Sequence, residues 1–311
     1  MRSWSHDILA LVLALMPGFL LAFGPGRAMA CASCGSGGDD PLVLFPAESL
    51  KIYAGATVTP TLASTGPDGE ILTSSGPDRR ATTTVAAGVA LSRRAFLTVS
   101  DAIVSNARGD ASRSGPGDPV LSGRYTLVMP QLAQPLVPQV QLLGGYRPAI
   151  ATSIHDATDA NLLDVFGSGF DEWRAGFDVW FGMFPVKPGF ALIMTESIPA
   201  RHNDILLQPG RLYRATTSLT GVAELPFLDG STWPLKIAAG LTNDQRDPAL
   251  QDGDSVPASR QSATGAFASA DVGVSSSGNI KVSLARQGIA GRIRNAVAST
   301  SWTVAWSSVL R

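Results

Sequence analysis

Charged side chains stand at alternate positions of segments that are otherwise apolar. In Trp173–Pro185 the odd positions up to Met183 are apolar, whereas the even positions include Arg174 and Asp178. Because successive side chains on a strand point to opposite faces, this segment has one apolar face and one polar face. Charges on such a polar face can pair with one another across a wet interior, or they can steer a charged ligand through it. Both interpretations stay open.

The same alternation in other segments predicts a set of side chains that line one interior. The set is mixed in sign and has a basic excess, and Lys51 and Lys281 share its pattern. The predicted lining residues are Arg124, Arg147, Arg174, Asp178, Arg214, Glu224, Lys236 and Asp271.

Histidine chemistry is sparse. Only His155 and His202 lie beyond the N-terminal 30 residues, and neither G-x-S-x-G nor H-E-x-x-H is present. His155 stands near Asp156 and Asp159, but a hydrated loop explains this grouping better than a metal site does. We therefore predict no catalytic site, no metal and no cofactor. A barrel enzyme that uses a histidine in an outer loop remains the third alternative.

Cys31 and Cys34 form a C-x-x-C pair, for which three interpretations compete. A disulfide is expected in an oxidising compartment. The motif can also bind a soft metal or exchange disulfides. Lipidation of Cys31 is less favoured, because Ala28 stands where a lipoprotein signal normally carries Leu.

The first 30 residues predict an export signal. Arg2 supplies a positive charge, Ile8–Phe23 is an apolar run, and Ala28-Met29-Ala30 matches a small-x-small cleavage site. A retained membrane anchor is the alternative, but Pro17 and Gly18 interrupt the apolar run.

Composition favours strands and turns. The 311 residues carry a net charge of −1, which gives no electrostatic reason to expect a nucleic-acid partner. Charged residues make up 16% of the chain, below the roughly 25% of soluble domains. Gly and Pro are plentiful.

About twelve segments of roughly ten residues alternate in this way from Lys51 to the C-terminus, and their connections are long and short in turn. Soluble sandwiches have shorter strands and no reason to sort their loops. The pattern predicts an all-β fold, a closed antiparallel transmembrane β-barrel of about 12 strands in the outer membrane, with its apolar faces toward lipid. Residues 1–30 would then be the signal peptide, 31–48 a periplasmic Cys- and Gly-rich segment, and 49–311 the barrel.

The loop Ala151–Glu172 is unusual because it contains a cluster of apolar residues. Exposed apolar clusters usually mark packing or binding. We expect this loop to form a constriction at the barrel mouth, and capture of a hydrophobic ligand is the alternative. The cluster comprises Leu162, Leu163, Val165, Phe166 and Phe170.

Most of the mature chain resembles the outer-membrane β-barrel channels of Gram-negative bacteria, and loosely the transporters of the FadL or phenol-degradation type. The resemblance depends on the export signal, the rhythm of the strands and the VFGSGF run Val165–Phe170. It implies passive transport of a small solute rather than catalysis, with outer-membrane lipid and the barrel assembly machinery as partners. The alternative function is that of a soluble periplasmic or secreted β-rich binding protein.

Overall fold

The computed structural model describes residues 42–44, 48–72, 77–129, 136–182, 186–226, 232–275, 277–288 and 294–310. For residues 225 and 226 only the backbone is described. The predicted signal peptide and the Cys31/Cys34 pair lie outside these residues. No helix within the described ranges is long and apolar enough to cross a membrane.

Twelve strands form the wall of the molecule, and we number them in chain order. They are β1 (Leu50–Thr65), β2 (Arg79–Ala90), β3 (Ala95–Arg108), β4 (Val120–Val128), β5 (Gln139–Arg147), β6 (Glu172–Trp180), β7 (Val186–Ser197), β8 (Leu212–Pro226), β9 (Thr232–Arg246), β10 (Gln261–Gly273), β11 (Gly278–Gln287) and β12 (Val297–Leu310).

Each strand pairs antiparallel with its neighbours in the chain, and β12 pairs with β1. The sheet therefore closes on itself. Two short strands, Ile71–Leu72 and Ala111–Pro116, bring its strand count to fourteen. The predicted fold class, a closed antiparallel barrel of twelve strands, is confirmed.

The wall is apolar outside and polar inside. Along β6, Trp173 is 57% exposed while Asp178 is 2% exposed. Along β12, Trp302 and Val304 are exposed and Ala305 is buried. A soluble protein would bury the apolar face, so this wall is built to contact lipid.

The connections between strands differ at the two ends of the barrel. Short turns such as residues 91–94 join strands at one end, which we call the turn end. Long loops such as residues 148–171 lie at the opposite end, which we call the outer end because long loops of such barrels are extracellular. Parts of the loops at 198–211 and 247–260 pair with each other in a small four-stranded sheet.

Several predicted loops were too long. The polar composition of residues 106–119 predicts a loop, but β3 continues to Arg108 and Ala111–Pro116 pairs with it. The polar run Asn243–Arg260 likewise predicts a loop, but β9 continues to Arg246. Neither extension carries a large apolar side chain, so the apolar alternation ends before the hydrogen-bonded ladder does.

Trp180 points inward on the register of β6, and its place is explained by the neighbouring strand. Gly189 of β7 is its direct cross-strand partner. The Trp180 ring fills the space in which a Cβ at position 189 would lie. Glycine at this position therefore makes room for a large aromatic side chain on the inner face.

Candidate channel interior

Residues 148–171, which we call the inward loop, pack into the outer end of the barrel. Of the predicted constriction residues, Leu163, Phe166 and Phe170 are buried, and Leu162 and Val165 are half-buried. The loop is thus an ordered element that occupies the interior.

Side chains of the wall bind the backbone of the inward loop. The fully buried Asn106 of β3 donates from Nδ2 to the carbonyl oxygens of Leu163 at 3.1 Å and Val165 at 2.8 Å. Arg80 of β2 donates to the carbonyl oxygen of Phe166 at 3.0 Å. These bonds satisfy carbonyl groups that burial would otherwise leave unpaired.

Asp118, between Ala111–Pro116 and β4, binds both ends of the inward loop. Its carboxylate accepts hydrogen bonds from the backbone N–H groups of Ile150 at 3.0 Å, Ala151 at 2.9 Å and Ser168 at 2.9 Å. The loop is therefore closed into a compact unit against the wall.

Two further carboxylates order the inward loop from within. The Thr158 backbone N–H, followed by the Thr158 hydroxyl, holds the pKa of Asp164 below its ordinary value despite partial desolvation. The Ala149 N–H and the Tyr146 hydroxyl likewise lower the pKa of Asp171. Both groups therefore support the loop in their ionised form.

Three of the predicted lining residues lie at the outer end of the barrel. Arg147 pairs with Glu172 at 2.5 Å, and Arg214 makes two bonds of 2.8 Å to Asp244. Arg174 is half-buried on the same inner face of β6 as Glu172. The outer part of the interior is thus rich in arginine.

The other lining residues lie deeper or at the turn end. Arg124 and Asp178 form a buried ion pair, each with a side chain 2% exposed. Lys236 and Asp271 are buried and directly opposite in register. Glu224 differs, because it is exposed near the turn end of β8.

The segment before β1 also enters the barrel. Leu42 is 1% exposed and Leu44 is 3% exposed. Lys51 contacts the carbonyl oxygen of Val43 at 3.4 Å and Glu48 at 3.6 Å. Leu44 lies against Gly88 of β2, where an added Cβ would stand 2.5 Å from its Cδ1. The segment thus covers part of the interior at the turn end.

His155 and His202 meet where two outer loops contact each other. Their rings stack with centroids 4.1 Å apart, and Phe170 packs edge-on against both. Burial, and then the charge of His202, lower the pKa of His155. The Ser153 hydroxyl donates to Asp156 at 2.6 Å rather than to either ring. No group of three or more metal-ligating side chains occurs within the described ranges.

Sequence reasoning missed several residues of this interior. Arg80, Asp244 and Arg246 stand in polar runs that predict loops, although each continues the inward alternation of its strand. Extending the period of two by a few residues would have found them. Parity also places Asn106 inward, but nothing local predicts what Asn106 and Asp118 bind, because their roles depend on where the inward loop folds.

No family model matches the sequence, and neither does any curated protein. Among solved structures, the chain is similar to the COG4313 outer membrane channel from Pseudomonas putida F1, with a TM-score of 0.64 and 13% identity over 89% of this chain and 100% of that one. The NanC porin matches with a TM-score of 0.47 and 8% identity over 84% of this chain and 100% of that one. At these identities the first likeness concerns the fold alone. The fold and the apolar outer wall are those of an outer-membrane β-barrel.

Proposed function

We propose that this protein is an outer-membrane channel or transporter that passes a small solute through the barrel. One observation carries the proposal: a closed wall, apolar toward lipid, surrounds an interior lined by charged and polar side chains. Charges inside a lipid-embedded barrel are costly to maintain and are tolerated where water or a solute contacts them. The fold shared with a known outer-membrane channel supports the same function.

The inward loop acts as the constriction of this channel. The buried Leu163, Phe166 and Phe170 anchor the loop in the interior, while the half-buried Leu162 and Val165 leave apolar surface accessible inside an otherwise polar conduit. An apolar surface at a narrow point slows water and ions and favours solutes with an apolar part. This supports a hydrophobic solute of the kind implied by the resemblance to FadL and phenol-degradation transporters.

The test is the conductance of refolded protein in planar bilayers. We expect discrete channel steps, and larger steps when residues 152–170 are replaced by a short Gly/Ser linker. A matched control replaces residues 251–254, at the tip of an outer hairpin that pairs with the loop at 198–211. If the inward-loop variant and the hairpin variant both conduct like the wild type, the constriction hypothesis is wrong. If no folded variant conducts or passes solutes into liposomes, the channel function itself is wrong.

A further inference from the structure

Five arginines converge at the outer end of the interior, and we call them the arginine cluster: Arg80, Arg147, Arg174, Arg214 and Arg246. All occupy inward positions on their strands. Arg174 lies opposite Thr195, which lies opposite Leu212, which in turn lies opposite Arg246, so one ladder row links the two arginines.

Electrostatic neighbours connect the remaining members of the cluster. The charges that act on Arg246 include those of Glu172, Arg147 and Arg214. The charge of Arg147 also acts on Arg80. The cluster is therefore one electrostatic unit that crosses the interior.

The acidic side chains within the cluster are fewer, and each is already engaged. Glu172 pairs with Arg147 and Asp244 pairs with Arg214. Asp118, the acid beside Arg80, accepts three backbone hydrogen bonds of the inward loop. Counted over these eight described residues, five arginines against three acids leave two positive charges in excess.

The excess coincides with unsatisfied donors. The Nε atoms of Arg147, Arg174 and Arg246 are buried and have no hydrogen-bond partner within the described residues. A buried N–H without an acceptor is costly, and like charges that lie near one another repel. An anion placed among these guanidinium groups relieves both costs. Guanidinium groups bind a carboxylate particularly well because their planar fork matches its two oxygens.

We propose that the arginine cluster is a binding site for the carboxylate of a small organic acid, an inference that rests on the channel function proposed above. The inward loop covers the site, since Arg80 contacts the Phe166 carbonyl oxygen. The apolar part of the acid would face this loop while its carboxylate contacts Arg174 and Arg246. The channel would then select its solute by charge as well as by apolar surface.

Benzoate and benzyl alcohol provide the test, because they share a ring and differ in charge. We expect benzoate to reduce the chloride current of the refolded full-length chain, and benzyl alcohol to leave it unchanged. Arg174→Gln with Arg246→Gln should weaken the benzoate effect by about tenfold or more. The reversal potential in a KCl gradient should also move away from anion selectivity. If the double variant does not fold, Arg246→Gln alone provides the same test of benzoate inhibition.

Arg211→Gln is the matched control, because Arg211 is exposed outside the interior and pairs with Glu196. It should leave benzoate inhibition unchanged. Equal inhibition by benzyl alcohol, or inhibition that survives both cluster substitutions, would overturn the proposal. Calorimetric titration of the folded protein with benzoate separates the two hypotheses. Binding without conductance rejects the channel function, whereas conductance without benzoate binding rejects the carboxylate site.

Discussion

Replacing Asn106 with Ala should release the inward loop from the barrel wall. The substitution removes the donors to the carbonyl oxygens of Leu163 at 3.1 Å and Val165 at 2.8 Å, both provided by a side chain that is 0% exposed. A buried carbonyl that loses its donor costs about 1–3 kcal/mol, so the loss of both donors should weaken the inward position by roughly 2–6 kcal/mol. Each 1.4 kcal/mol changes the ratio of inward to displaced loop about tenfold.

The assay is single-channel recording of refolded Asn106→Ala, together with limited proteolysis of the loop. We expect more time in a larger conducting state and faster cleavage within residues 152–170. Asn243→Ala is the matched control, because Asn243 is exposed on β9 and its amide donates to Thr264 at 3.1 Å. If Asn106→Ala conducts and resists protease like the wild type, the two buried hydrogen bonds do not hold the loop.

Three further predictions concern the deeper interior, the outer loops and the turn end. Asp178→Ala should lower the free energy of unfolding by about 3–5 kcal/mol, because it removes a carboxylate that pairs with the buried Arg124; denaturant titration measures this. His202→Ala should raise the pKa of His155, which NMR titration detects, because it removes a burying ring and a like charge. Because folding favours neutral His155, its contribution to the free energy of unfolding is complete above the ordinary histidine pKa of about 6.5. This contribution is lost as the pH falls below that value. Leu44→Ala should expose the segment before β1 to protease, because this segment loses a side chain buried against the wall.

Each of these predictions has its own control. Glu196→Gln breaks an exposed ion pair with Arg211, so it should cost no more than about 1 kcal/mol; an equal loss for Asp178→Ala would contradict the buried-pair argument. Asp156→Asn should lower the pKa of His155 further, since the Asp156 charge raises it. Val43 is half-buried and contacts Lys51 through its backbone carbonyl oxygen, which Val43→Ala retains. This substitution should therefore leave the protease pattern unchanged. Identical cleavage of the Leu44 and Val43 variants would reject the role of Leu44.

The barrel itself was predictable from the sequence, because strand alternation is a local property. Trp173 and Asp178 stand at an odd and an even position of the same strand, so their side chains point to opposite faces. Once the sheet closes, this alternation alone places Trp173 toward lipid and Asp178 toward the interior. Their exposures of 57% and 2% follow from that rule. The approximate strand count came from the same signal, whereas the strand ends did not, because the extensions of β3 and β9 lack an apolar face.

The interior was decided by the tertiary structure. Nothing local to Asn106 or Asp118 marks them as partners of a loop that lies some tens of residues later in the chain. Similarly, Arg174 and Arg246 come to lie on one ladder row across two intervening strands of the closed sheet. The sequence by itself determined which side chains face inward. Which of them meet, and which are left with an excess of positive charge, depends on the register of the closed sheet and on the path of the inward loop, and both are long-range properties.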